Sequence, residues 1–128
     1  MKAQQTHLKT NSNLVGRVVE IGEGTAVVEL ETTEVMAVDD EGLVHGGFIF
    51  GQADYAAMCA VNDPNVVLGK SSLKFLKPIR FGETVVATAT IAQAEGKKST
   101  VQVDVTRDDD IVCQGEFICF TLDKHVLS

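Results

Sequence analysis

The sequence predicts an α+β domain in which one buried helix packs against a largely antiparallel sheet. The run from about Gly47 to Val61 is apolar on every face at helical spacing, which is typical of a buried helix. Strand-like segments with alternating apolar and polar residues lie around it, joined by short polar turns. A length of 128 residues suits a single domain.

The elements follow in order along the chain. The polar residues 1–13 are expected to be frayed, and the domain itself is expected to span residues 14–128. Strand signals begin at Leu14, and Pro64 ends the helix because a proline cannot continue one. The segment EVMAV at 34–38 is predicted to be extended. The other predicted strands are LVGRVVEI, TAVVELET, VVLGKSSLKFLKP, TVVATATIAQA, STVQVDVT and IVCQGEFICFTL.

The composition limits the classes of partner and compartment. A net charge of −7 disfavours binding to nucleic acid or to an anionic membrane. No C-x-x-C occurs, and Cys113 and Cys119 would lie about 20 Å apart on one strand, too far to bridge. With no signal peptide at the start, we expect reduced thiols and a cytoplasmic protein. The longest uncharged run, Gly42 to Ala53, is too short to cross a bilayer. The scattered histidines predict neither a metal site nor a bound cofactor.

One carboxylate, Asp54, lies near the middle of the apolar helix. Its neighbours on the same face offer no polar group; they are Gly47, Phe50, Gly51, Ala57, Met58 and Val61. Burying an ionised carboxylate there is costly, so its pKa is expected to rise toward neutrality, which suits a base in hydrolysis. The alternative is that Asp54 points to a solvent gap or caps the backbone of a partner.

The tripeptide His45-Gly46-Gly47 leads into this helix. Glycines let a ligand approach the backbone closely. The first amides of a helix have no intrahelical partner, carry the positive end of its dipole and therefore stabilise an oxyanion. With a carboxylate about two turns further along, the pattern suits hydrolysis of an activated acyl group. The alternative is that the two glycines only make the turn into the helix.

The motif G-L-V-H-G-G, followed by A-D nine residues after the histidine, resembles the hotdog-fold acyl-CoA thioesterases of the phenylacetate-pathway and human thioesterase-superfamily type. The residues that match this motif in register are Gly42, His45, Gly46, Gly47 and Asp54. The segments FLKPIRFGETVVATATI, EGKKSTVQVDV and IVCQGEFICFTL resemble the family's later strands. The similarity extends roughly from Leu14 to Leu122.

This resemblance implies a hotdog fold, an antiparallel sheet wrapped around one central α-helix, in a homodimer or homotetramer with active sites between subunits. It implies hydrolysis of a small or medium acyl-CoA thioester, with CoA present only as part of the substrate. Gly46 of one protomer would donate its amide to the thioester carbonyl. Asp54 of the other would activate water or attack directly. His45 would either orient the turn or touch the substrate.

Two positions where family members often carry a polar side chain that assists the reaction need separate comment. Six residues before the histidine, where these enzymes often carry an asparagine, this chain has Asp39, and an ionised carboxylate cannot donate a hydrogen bond. Asp39 is therefore protonated, points elsewhere, or leaves the site without that donor. A serine on the strand after the helix assists in some members, and Ser72, beside Ser71, is the candidate here.

The CoA phosphates require basic residues gathered locally on an acidic chain. Lys70 and Lys74 share a strand face and Lys97 lies at a hairpin tip, so each is a candidate for a phosphate contact. The alternative is that these lysines are solvated and protect strand edges. Gly47 and Phe50 are further candidates for contact with the substrate, Phe50 as a wall of an acyl pocket.

Two other functions would suit the same fold. A non-catalytic acyl-CoA binding or regulatory module stays open because of Asp39, although the chain shows no appended DNA-binding segment. An acyl-thioester hydratase or dehydratase would direct His45 and Asp54 at one substrate carbon. The HGG context favours hydrolysis, so we predict a thioester hydrolase.

Overall fold

The computed structural model describes all 128 residues. A short helix precedes two strands, one long helix follows them, and four long strands complete the chain. The elements are α1 (Ser12–Val15), β1 (Arg17–Gly22), β2 (Thr25–Glu31), a 3-10 helix (Glu34–Met36), α2 (Gly46–Val61), β3 (Val66–Phe75), β4 (Thr84–Glu95), β5 (Lys98–Arg107) and β6 (Asp110–Thr121). None of the helices is long and apolar enough to cross a membrane.

The six strands form one sheet in the order β1-β2-β4-β5-β6-β3, with every neighbouring pair antiparallel. The helix α2 packs on the concave side of this sheet and contacts all six strands. The predicted α+β architecture, one helix wrapped by an antiparallel sheet, is therefore confirmed. The strands β1 and β3 form the two edges of the sheet.

The core lies between α2 and the inward faces of the strands. On β5 the predicted alternation is confirmed, because Val101, Val103 and Val105 are fully buried while Gln102 is exposed. The sheet approaches the helix closely because the helix presents small side chains. Ala53, Ala56 and others on α2 are completely buried. The core is therefore aliphatic, with few aromatic residues.

The side of α2 that faces away from the sheet is covered by the N-terminal segment. The predicted fraying of residues 1–13 stays a prediction, but part of this segment contacts α2. Gln4 donates from Nε2 to the hydroxyl of Tyr55 at 3.0 Å, and Asn62 at the end of α2 donates to the carbonyl of Ala3 at 2.9 Å. A helix that is apolar all round needs cover on every side. The sheet supplies it on one side and this segment on the other.

Two predicted extended segments are helical instead. Leu14 lies in α1 rather than at the start of a strand, and Gly16, with φ 94°, redirects the chain into β1. Residues 34–36 of the predicted extended segment form the 3-10 helix. The long helix begins at Gly46, one residue earlier than predicted.

Candidate active site

The start of α2 leaves one amide free. His45 caps the helix, and its Nδ1 accepts a hydrogen bond from the amide of Gly47 at 2.7 Å. The amide of Gly46 has no acceptor among the backbone or side-chain atoms of the chain. A Cβ on Gly46 would lie 3.3 Å from the ring of Phe75, so a glycine lets this ring lie close to the free amide. The helix start thus offers one hydrogen-bond donor, that of Gly46.

His45 holds the turn into α2 from both sides. Its own amide donates to the carbonyl of Met36 at 2.9 Å, while its ring accepts from Gly47. Because Nδ1 accepts, the neutral ring carries its proton on Nε2. The rings of His45 and Phe48 pack edge to face, with centroids 6.1 Å apart and planes at 83°. These contacts fix the position of the Gly46 amide.

Asp54 lies on α2 two turns after Gly46 and is largely buried. Its Oδ1 is inaccessible to solvent and has no hydrogen-bond partner in the chain. Burial raises the pKa of Asp54 from its ordinary value of 3.8 to about 6. An unpartnered buried acceptor with such a pKa is suited to receive a proton from a water molecule or from a substrate group.

Asp54 faces the side of the sheet formed by β6 and the edge strand β3. One turn earlier on the same face, the ring of Phe50 lies against Phe117 of β6, with centroids 5.7 Å apart. Burial raises the pKa of the Cys119 thiol to about 12, and the charge of Asp54 adds to that rise. Asp54 therefore lies near Cys119 of β6. β6 is the neighbour of the edge strand β3.

Gln52 anchors the opposite face of α2, and the sequence alone did not identify this role. The side chain is fully buried, and its Nε2 donates to the carbonyls of Val28 on β2 and Val85 on β4, at 3.0 and 2.9 Å. Its Oε1 has no partner. The signal that could have indicated this anchor was a polar residue on the face of α2 opposite Asp54, where the other residues are apolar. Because positions two apart differ by about 200° around a helix, this anchor turns Asp54 toward β6.

Asp39 closes the turn that precedes the helix start. Its Oδ1 accepts hydrogen bonds from the amides of Glu41 at 3.0 Å, Gly42 at 3.0 Å and Leu43 at 3.3 Å. The sequence left open whether Asp39 is protonated, points away from the site or leaves it without a donor. This geometry matches the second possibility, because the Asp39 carboxylate faces the amides of its own turn. Gly42 adopts φ 90° in this turn, a conformation that favours glycine.

Ser72 lies on the outer face of β3, away from α2. Ser71 pairs directly with the buried Phe117, so these two side chains share the face that looks toward the helix. Ser72 is exposed and points the opposite way. Of the two serines, Ser71 and not the predicted Ser72 lies on the same side of the sheet as Asp54.

The predicted basic residues are not gathered around Asp54. Lys70 and Lys74 are exposed on the outer face of β3, as their spacing predicts, and neither forms an ion pair. Lys97, at the hairpin tip, pairs with the exposed Asp123. No group of three or more His, Cys, Asp or Glu side chains lies close enough together to hold a metal ion.

Two open cavities lie beside the helix start. The smaller, about 290 Å³, includes Gly46, Ile49 and Phe75 in a mostly apolar wall. The larger, about 590 Å³, is more polar; its lining residues are Asp39, Glu41, Leu43, Pro78, Ile79, Arg80, Glu83 and Arg107. Gly46 thus opens into a cavity of this protomer, whereas Asp54 lines neither cavity.

The fold and the HGG-to-aspartate arrangement define a class of protein. Residues 41–114 match the family model of the thioesterase superfamily. The chain belongs to this superfamily, and its sheet and central helix are the hotdog fold.

Relatives of known name are mixed in function. The chain is 50% identical over 113 residues to a methylthioribose-1-phosphate isomerase of Aquifex aeolicus, a match that covers 88% of this chain and 25% of the isomerase. It is 27% identical over 125 residues to the transcription factor FapR of a Thermoanaerobacter species, covering 97% of this chain and 62% of FapR. The chain thus spans a quarter of one relative and about three-fifths of the other.

Solved structures resemble the chain over nearly its whole length. The uncharacterized protein PH1136 of Pyrococcus horikoshii is 53% identical, with a TM-score of 0.98, over 99% of this chain and 98% of that one. A mutant of the phenylacetic acid degradation protein PaaI of Thermus thermophilus is 28% identical, with a TM-score of 0.79, over 85% of this chain and 95% of that one.

Proposed function

We propose that the protein hydrolyses a small or medium acyl-CoA thioester to CoA and the free acid. The observation that carries the proposal is Asp54, a largely buried carboxylate with one inaccessible, unpartnered oxygen and a pKa raised to about 6. The free amide of Gly46 at the helix start supplies the complementary donor. Membership of the thioesterase superfamily supports this choice of chemistry over others that the fold could host.

In the proposed reaction Asp54 acts as general base. It takes a proton from a water molecule, whose oxygen attacks the carbonyl carbon of the thioester. The resulting oxyanion accepts a hydrogen bond from the amide of Gly46. The carbon–sulfur bond then breaks, and the CoA thiolate leaves and is protonated. Direct attack by the Asp54 carboxylate, giving a mixed anhydride that water hydrolyses, is the alternative route.

The site is proposed to form between two protomers, because Gly46 and Asp54 of one chain are not brought into one cavity. Gly46 of one subunit and Asp54 of another would then face the same carbonyl. The free edge of β3, the strand next to β6, is the surface proposed for such an assembly. His45 acts by fixing the Gly46 amide, in keeping with its two hydrogen bonds to the turn.

The predicted contacts with CoA remain part of this proposal. Phe50, one turn before Asp54, would line the acyl pocket, and Gly47 would let the substrate approach the helix start. Lys70, Lys74 and Lys97 are the candidates for the phosphates.

A second candidate function is non-catalytic binding of an acyl-CoA. The similarity to FapR, a transcription factor, over nearly the whole chain favours it. In that case the chain would bind the thioester without cleaving it, and the binding would be read by another part of a larger protein or by a partner.

Release of free thiol from a panel of acyl-CoA thioesters separates the two functions. Hydrolysis by the wild-type protein that is lost in Asp54→Ala, with acyl-CoA binding retained, supports catalysis. The matched control is Asp109→Asn, which changes an exposed carboxylate on the β5–β6 turn and is expected to leave turnover unchanged. Tight binding of acyl-CoA with no thiol release by the wild-type protein would refute the hydrolase and support the binding module.

A further inference from the structure

The two cavities at the helix start share a wall, because Leu43, Pro78 and Ile79 line both of them. Gly46 lines the apolar cavity and Arg80 lines the polar one. A ligand that has its reacting carbonyl at Gly46 and follows this wall would extend toward Arg80.

This wall is a short paired segment that fixes the backbone of Arg80 relative to the helix start. Leu43 and Arg80 form an antiparallel bridge, Val44 donates to the carbonyl of Ile79 at 2.8 Å, and Phe81 donates to the carbonyl of Gly42 at 3.0 Å. Only Val44 and His45 lie between Leu43 and Gly46 in the chain.

Arg80 is the one cation in the polar cavity whose charge is not compensated. The Oε1 of Glu83 accepts from the backbone amide of Arg80 at 2.7 Å and from the guanidinium of Arg107 at 3.2 Å. Arg107 also donates to the carbonyl of Pro78 at 2.8 Å. The three turn amides occupy Oδ1 of Asp39.

The guanidinium of Arg80 forms neither an ion pair nor a hydrogen bond. Of the three carboxylates that line the cavity, only that of Glu41 accepts no hydrogen bond. The stem of Arg80 passes over Gly42, where a Cβ would lie 3.5 Å from it. The stem is thus positioned while the charged group is free. A planar guanidinium with all its donors free is suited to a phosphate, which it binds through two parallel hydrogen bonds.

We propose that Arg80 binds the diphosphate of the CoA arm, whose pantetheine portion lies along Leu43, Pro78 and Ile79. The inference rests on the proposed function because it takes Gly46 as the position of the thioester carbonyl. The phosphate is preferred over a carboxylate on the acyl chain because Gly46 and Arg80 line different cavities, and a short acyl group at Gly46 would stay in the apolar one. Arg80, rather than Lys70 or Lys74 on the outer face of the sheet, is then the main phosphate contact.

The test measures dissociation constants by calorimetry for two non-hydrolysable thioether ligands, one built on CoA and one on pantetheine without phosphates. Arg80→Ala is expected to weaken binding of the CoA ligand about tenfold, the loss of one charge-assisted contact at a partly exposed site. Binding of the pantetheine ligand is expected to be unchanged. Arg80→Lys should keep part of the affinity. Lys9→Ala, which removes an exposed lysine outside the proposed site, is the control and should behave as the wild type, while Lys74→Ala tests the competing phosphate candidate.

Several results would overturn the inference. These are equal affinity of wild type and Arg80→Ala for the CoA ligand, a loss in Lys74→Ala instead, an equal loss for both ligands, or no binding of CoA by the wild type. Because binding is measured without turnover, the two proposals fail separately. Dependence on Arg80 in a protein that releases no thiol would keep this inference and reject the hydrolase. Turnover without dependence on Arg80 would do the reverse.

Discussion

Gln52 and Asp54, two positions apart on α2, point to opposite sides of the helix. The amide of Gln52 bonds to the carbonyls of β2 and β4, whereas the carboxylate of Asp54 lies near Cys119 of β6 with an unpartnered oxygen. The buried polar anchor fixes the rotation of a helix that has little else to distinguish its faces. The orientation of the proposed base thus depends on a residue outside the site.

Asp54→Asn is expected to lower kcat by about 10² to 10⁴, the usual contribution of a general base. Asparagine has nearly the same shape but cannot accept the proton, so the variant should stay folded. Thiol release and circular dichroism check the two parts of this prediction. An unfolded variant would show that Asp54 has a structural role instead.

The pH profile of the reaction should report the raised pKa of Asp54. Since the base must be ionised, kcat/KM is expected to rise with pH through about 6 and to level off above it. A profile that is flat between pH 5 and pH 7 would argue against Asp54 as the base.

Stability should change with pH in the opposite direction. The folded pKa of about 6 exceeds the ordinary 3.8, so the folded state binds more protons in this interval and the free energy of unfolding falls as pH rises across it. A shift of this size corresponds to at most about 3 kcal/mol. Chemical denaturation at several pH values should show this slope in the wild type and a reduced one in Asp54→Asn. The same slope in both proteins would contradict the assignment.

Gln52→Ala is expected to destabilise the fold by about 1–3 kcal/mol, because two buried carbonyls lose their donor. Urea denaturation measures this loss, and Gln102→Ala, an exposed glutamine on β5, is the matched control and should change little. If both substitutions cost the same, the hydrogen bonds to Val28 and Val85 contribute nothing measurable.

Asp39→Asn is expected to keep or raise thioesterase activity. Asparagine retains an oxygen that can accept from the three turn amides, and it removes a negative charge near the proposed oxyanion site. Asp39→Ala, which removes the acceptor, is the comparison and should loosen the turn. A sharp fall in kcat for Asp39→Asn alone would mean that the carboxylate itself takes part in the reaction.

Removal of residues 1–11 is expected to lower the melting temperature and to expose Tyr55, which then loses its contact with Gln4. The chain has one tyrosine and no tryptophan, so intrinsic fluorescence reports on this position alone. Quenching by acrylamide should increase in the truncated protein. Removal of the exposed residues 124–128 is the control and should leave the quenching unchanged.

The sequence by itself determined the features that depend on local pattern. Alternation along β5 predicted Val101, Val103 and Val105 as core, and an apolar helix with one carboxylate predicted the raised pKa of Asp54. These properties follow from the periodicity of strands and helices, and from the cost of burying charge, and both can be read from neighbouring residues.

Only the tertiary structure decided which distant groups meet. The fold-back of the first 13 residues over α2, the inward direction of Ser71 rather than Ser72, and the bridge that fixes Arg80 opposite Leu43 all depend on contacts between parts of the chain far apart in sequence. A one-residue change of register reverses the face of every strand residue. Which of two adjacent serines faces the helix therefore cannot be predicted without knowing the register with the partner strand. The polar N-terminal residues gave no sign that they would cover α2, because hydrogen bonds rather than apolar contacts hold them against this helix.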